Sequence, residues 1–327
     1  MADVIDRRRA REPGRGRKAA APGHLGWAGW LDVLWRVVGK IGTDRVMLVA
    51  AGVTFFGLMA LIPTLSVLVS LYGLFFEPED VAAQTSALAG IVPQGGLEIM
   101  GEQLMRLTAQ GKPQLGWALA ISLGVALWSA SAGVRALFEA MNVVNGEDEK
   151  RNFFVLTATA LLFTLAGIAG AAVAIVIVVV LPAVLGVLGL EAGWLIQMVG
   201  YALLAAMLFG GILVLYRFGP SRRRAQWRWA VPGASFSVIA ILAFSALFSW
   251  YSANLGGYDS TYGSLGALIA LLTWMWLSVA VFIIGAELNA EAEHQTAVDT
   301  TEAPDLPLGS RGARMADTLG RARIEKS

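Results

Sequence analysis

The chain has 327 residues, 56% hydrophobic and only 15% charged, with a formal net charge of +1 and no cysteine. A soluble domain carries roughly a quarter charged residues, so this composition, with a mean hydropathy of +0.63, excludes an ordinary water-soluble fold. The near-neutral charge gives no argument for a nucleic-acid partner, and the missing cysteines exclude disulfides, thiolate metal sites and thiol catalysis.

Residues 1–24 are rich in Arg, Ala, Pro and Gly and predict a disordered basic tail. No short apolar region follows them as a cleaved signal would require, so the first span is expected to be retained. Over 27–42, Trp27, Trp30, Leu31, Leu34, Val38 and Ile41 share one helical face, and Asp32, Arg36 and Lys40 form a row on the other. This pattern predicts a helix lying in the membrane interface.

Six stretches then meet the length of about 20 apolar residues that a hydrocarbon core requires. They are 46–75, 115–138, 153–181, 194–216, 229–252 and 264–288, with Tyr72, Trp117, Trp194, Trp227, Trp229, Trp250 and Tyr251 at their ends. Pro63 inside the first predicts a kink. The loop Phe76–Gln114 is expected outside, with Leu97, Met100, Leu104 and Leu107 at helical spacing. Phe153–Leu190 is uncharged throughout and long enough for one tilted span or two short ones. The positive-inside rule decides between them. The N-terminal segment and the loop bearing Arg217, Arg222, Arg223, Arg224 and Arg228 must both face the cytoplasm, and only an even number of crossings between them allows that. The expected fold is therefore all-α: a polytopic bundle of six transmembrane helices, a membrane domain over 25–292, cytoplasmic termini, and a second disordered tail over 293–327.

Polar groups in or beside lipid are costly, which makes them candidates for function. Arg135, Glu139 and Asn142 close the second span, with Arg135 and Glu139 spaced to pair. Glu287 and Asn289 close the sixth, in Gly285-Ala286-Glu287-Leu288-Asn289. Both groups are expected at the inner face, where Arg135 could neutralise Glu287. Ser245, Ser249 and Ser252 form a row in the fifth span that reads as a polar path or as helix knitting, with knitting favoured. Gly167, Gly170 and Ala174 predict close helix packing in the third. Asn254, Gly256, Gly257, Tyr258 and Asp259 make an outer polar loop. His24 and His294 lie in or near the tails, too few for a histidine metal centre. No nucleotide-binding loop is present, so neither metal nor cofactor is expected.

The segments Ala50-Ala51-Gly52-Val53-Thr54-Phe55-Phe56 with Ala60-Leu61-Ile62-Pro63, then Ser129-Ala130-Ser131-Ala132-Gly133 through Asn142 to Arg151, and Tyr262-Gly263-Ser264-Leu265-Gly266-Ala267 through Leu271-Leu272-Thr273-Trp274 to Asn289 together resemble the YihY/BrkB family of bacterial inner-membrane proteins. The resemblance covers roughly residues 30–292. It implies a six-span bundle in the cytoplasmic membrane, a relation to a virulence factor, and an old ribonuclease BN label carried by some members. A transporter or exporter of a lipid-like or other small amphipathic solute fits the polar residues and the kink best. A non-catalytic envelope scaffold is the alternative. A ribonuclease is disfavoured, because RNA cleavage needs a water-accessible set of acids, bases or metals. Expected partners are membrane lipids, including anionic headgroups at the basic inner face.

Overall fold

Among the described residues every regular element is a helix, as a chain that must satisfy its backbone inside hydrocarbon requires. The structure is a computed structural model and describes residues 6, 8–73, 117–177, 193–254 and 264–323. After a single 3₁₀ turn at Pro22–His24 come α1 (Gly26–Thr43), α2 (Val46–Gly73), α3 (Trp117–Asn145), α4 (Phe153–Ile175), α5 (Gly193–Phe218), α6 (Trp227–Asn254), α7 (Ser264–Glu293) and the short α8 (Arg314–Asp317). The expected loop helix at Leu97–Leu107, the end of the stretch to Leu190 and the loop at Gly256–Asp259 lie outside the described residues. So does the side chain of Ser252.

Helices α2 to α7 run 23 to 30 residues, long enough for a bilayer. By composition four of them qualify as spans, in α4, α5, α6 and α7, and the α1–α2 pair adds a fifth if its 63° bend is counted within one span. No more than 22% of any of the four is buried in the protein. Phe55, Phe56, Leu162, Ile239, Leu247 and Leu268 are all exposed. Meanwhile Ser131, Asn142, Ser237, Glu287 and Asn289 are buried. Apolar outside and polar inside is the distribution a lipid solvent selects. Helix α2 runs through Pro63 as one element.

The six long helices bring one end each to a common face, at Val46, Asn145, Phe153, Phe218, Trp227 and Glu293. Helix α3 closes there with Gly146 at φ 62°, and the Glu147 amide reaches back to the Asn142 carbonyl, a turn that glycine enters without strain. Asn152 then caps α4 by accepting from the Val155 amide at 2.9 Å. Between them, Glu149 accepts from the Arg151 guanidinium (2.7 Å) and from Asn142 (3.0 Å). Burial alone would raise the Glu149 carboxyl, but the Arg151 side chain and amide, Asn142 and Ser221 hold it down at about 2 against an ordinary 4.5. Its stabilising contribution is therefore complete above about 4.5 and disappears as the pH falls towards about 2. The difference in unfolding temperature between wild type and Glu149→Gln, followed across that window, should shrink to nothing at the acid end.

Composition predicts disorder in both tails, yet residues 8–24 and 293–323 fold against each other beneath the helix ends. Arg17, 2% exposed, donates to Glu12 (2.7 Å) and to the carbonyls of Gln295 (3.2 Å) and Gly320 (2.8 Å). Thr296 donates to the Ala19 carbonyl at 2.8 Å. Arg311 serves the carbonyls of Ala297 and Ala316, each at 2.6 Å. The physical reason is local: charged side chains satisfy backbone carbonyls, and alanines let the segments approach closely. The order comes from these partners, which a tally of disorder-promoting residues does not register.

Candidate functional site

Three helices meet closely at the end of the bundle that carries both folded tails. A Cβ added at Gly233 of α6 would overlap the Gly285 carbonyl of α7, and one added at Gly285 would lie 2.6 Å from the Tyr216 hydroxyl of α5. Tyr216 donates to the Phe282 carbonyl at 2.6 Å, and its oxygen lies 2.7 Å from Ser237 Oγ. Asn289 accepts from the Gly233 amide at 2.7 Å and donates to the Ala230 carbonyl at 3.0 Å. Pro232 sits inside α6, and proline disturbs the helical ladder around it. The Asn289 amide supplies partners to backbone groups on either side of it. A cavity of about 10 Å³, lined by Asn145, Tyr216, Arg222, Asn289 and Glu293 among others, lies beside this junction. That is room for about one water.

The last turn of α7 carries Glu291 and Glu293, where the helix dipole already concentrates negative charge. Two arginines compensate. Arg36 pairs with the Glu291 carboxylate and donates to the Glu291 carbonyl at 3.0 Å. Arg222 pairs with Glu293 at 2.5 Å. This explains α1, whose polar row faces the protein: Asp32 and Arg36 are buried, while Trp27 is 80% and Val38 70% exposed.

The remaining expected residues separate. Arg135 does not pair with Glu139 or Glu287. It donates to Ser131 at 2.6 Å and lies over the Trp128 ring at 5.3 Å, so its charge is met within α3 and never reaches α7. Glu139 is exposed. Asn142 is buried and ties α3 to the α5–α6 loop by accepting from the Ser221 amide at 2.7 Å. Ser245 accepts from Trp274 Nε1 at 3.0 Å, a knit between α6 and α7, whereas Ser249 is exposed. Glu287 is fully buried, and neither carboxylate oxygen has a hydrogen-bond partner among the described residues.

Sequence reasoning missed an apolar crevice of about 280 Å³ between α2, α3, α4 and α7. Gly57, Ala60, Ala130, Gly133, Phe163 and Gly167 are among the residues that line it. Thr54 and Thr164 also line it, but each hydroxyl is turned back to its own helix, onto Ala50 and Ala160 at 2.8 Å. Gly167 and Gly170 were expected to pack against another helix, yet a Cβ at either would meet no described atom within 4 Å. The gap beside Gly167 is part of the crevice. The run of small residues in α2 and α3 was the one sequence signal for it.

No solved structure matches the chain. A ribonuclease-like protein of Bacillus subtilis (strain 168), YfkH, is 28% identical over 74% of this chain and 88% of its own. A UPF0761 membrane protein of Neisseria meningitidis serogroup B is 26% identical over 80% of this chain, which spans only 63% of that relative. One from Pseudoalteromonas translucida is 22% identical over 85% and 89%. The model of the family described as virulence factor BrkB matches residues 37–307. With that match running through α2 to α7 and into the folded C-terminal segment, the chain is a membrane protein and belongs to the virulence factor BrkB family.

Proposed function

We propose that the protein crosses the bacterial inner membrane six times, with both ends in the cytoplasm, and carries a lipid-like or other small amphipathic solute across it. The two tails fold together with the α3–α4 and α5–α6 loops on one face, and a chain whose ends share a face crosses an even number of times. The arginines on that face favour the cytoplasm. The exposed side of α1, with Trp27, Leu34, Trp35 and Val38, then lies in the inner leaflet, beside anionic headgroups attracted by exposed Arg224 and Arg228.

The observation that carries the transport reading is the crevice. It sits roughly 12 residues, about 18 Å, above the inner end of α3 at 1.5 Å per residue, near mid-bilayer depth. With both threonine hydroxyls occupied, its wall suits an acyl chain better than an ion or a sugar. In vesicles holding the purified protein, a fluorescent phospholipid should exchange between leaflets, and Gly167→Phe should slow that exchange about tenfold by filling the crevice. A Cβ added at Gly167 meets open space, so the new side chain enters the crevice without displacing a helix backbone. Exchange at the protein-free rate, or unaltered by Gly167→Phe, would contradict the proposal.

A second reading, an envelope scaffold, draws on the ordered cap and its exposed Arg8, Arg11 and Lys18. Loss of partners without loss of fold on charge reversal of those three would favour it. RNA cleavage has no such support: His294 is hydrogen-bonded to Thr318 (3.1 Å) and lies 3.4 Å from Glu291, within the packing of the cap.

A further inference from the structure

Glu287 is the one fully buried carboxyl in the bundle, among the described residues, whose two oxygens receive no donor, and the carboxyl that stands against it is that of Asp44. The charged groups that act on it are Asp44 and Lys40, at the break between α1 and α2, and Glu291 of its own helix. The break is a bend of 63° at a residue, Arg45, whose φ of 51° is rare outside glycine. Lys40 is bound to Asp44 at 2.9 Å. The other groups around the site are committed elsewhere: Glu291 to Arg36 and His294, and Tyr216 to Ser237 and Phe282.

One ammonium therefore stands against two carboxyls, which leaves one negative charge uncompensated while both are ionised. A buried, unpaired charge costs several kcal/mol, and a site relieves it by taking a proton or by drawing in a cation. We propose that Glu287 is a proton-binding carboxyl whose occupancy decides which carboxylate holds Lys40. With an O–H bond formed at Glu287, using a proton from cytoplasmic water, Lys40 stays on Asp44, as seen. When that proton returns to water, Lys40 moves to Glu287, Asp44 loses its partner, and the α1–α2 break is released. Lys40 and Asp44 are partly exposed, at 33% and 14%, and so provide the path to solvent. The switch would supply a coupling ion to the carriage proposed above, but its test reads the carboxyl itself, whether or not any lipid moves.

Dicyclohexylcarbodiimide partitions into membranes and reacts with protonated carboxyls in apolar surroundings. The acid proton passes to a carbodiimide nitrogen, the carboxylate oxygen bonds the central carbon, and an O-to-N shift leaves a stable N-acylurea. The purified full-length protein in vesicles should be labelled at Glu287, as read by peptide mass spectrometry. Labelling should fall about tenfold per pH unit beyond the midpoint. Lys40→Met should extend labelling to higher pH by about one unit or more, and Asp44→Asn should move it lower. Opposite shifts from two substitutions at the same break cannot come from a general loosening of the fold. No label on Glu287, a label indifferent to pH, or shifts of the same sign in both variants would overturn the proposal.

Discussion

Gly233→Ala and Gly285→Ala should each cost about 3 kcal/mol of stability, seen in detergent as a fall in unfolding temperature and in the monodisperse fraction. A single methyl is small, but at these positions it meets backbone carbonyls and the Ser237, Asn289 and Tyr216 side chains, which their own hydrogen bonds hold in place. At Gly233 it meets the Gly285 carbonyl and lies 2.6 Å from the Asn289 amide; at Gly285 it lies 2.6 Å from the Tyr216 hydroxyl and 2.7 Å from the Gly233 carbonyl. Relief requires α6 and α7 to separate, which would also break the Asn289 and Tyr216 hydrogen bonds. Gly167→Ala and Gly170→Ala are the controls, since a Cβ there has open space. They should change stability by less than about 1 kcal/mol, and in the stabilising direction by helix propensity. Equal losses at all four glycines would show that the α6–α7 junction has no special closeness.

Arg36→Met should cost about 3–5 kcal/mol, because it leaves the Glu291 carboxylate buried without its guanidinium. The damage should be local at first. Arg36 also donates to the Glu291 and Arg321 carbonyls, at 3.0 and 2.9 Å, so its loss frees the C-terminal segment from α1. Limited trypsin digestion should then cut at Arg311 or Arg314 several-fold faster, while the membrane helices stay intact. Replacing both partners, Arg36→Met with Glu291→Met, should recover much of the loss, since an apolar pair leaves no buried charge. Failure of the double variant to recover would mean that Arg36 acts mainly through the two carbonyls.

The positions of the long helices were legible in the sequence to within a few residues at most described ends, because hydropathy and boundary aromatics act locally along the chain. The direction each helix faces was not. Helix α7 is apolar around most of its circumference, so no amphipathic pattern indicates whether Glu287 points to α3 or to the α1–α2 break. The expected Arg135–Glu287 pair failed for that reason, and Ser131 and Trp128, on the same helix as Arg135, met its charge instead. Helix α1 shows the opposite case. Its two faces are apolar and polar as expected, but a helix lying in the membrane interface would turn its polar side to water. The structure puts Glu291 and the folded tails there.

The tails misled for a third reason. Arg, Ala, Gly and Pro give no periodicity, and their order depends on carbonyls and carboxylates supplied by distant parts of the chain, as when Arg17 reaches Gln295 and Gly320. The Glu291 and Glu293 pair at a helix C-terminus was the available clue, since such charges need cations nearby. Arg36 and Arg222 come from sequence positions far removed from it.

The central claim is that both ends of the chain fold together on the cytoplasmic face beneath an even-numbered bundle, and native sequence makes it directly testable. There is no cysteine, so a single cysteine placed at exposed Lys18, or separately at exposed Ser310, is the only thiol in the protein. A membrane-impermeant maleimide should leave both positions unlabelled in intact spheroplasts and label both in inverted vesicles. Labelling of either position from the outside of intact spheroplasts would contradict the account.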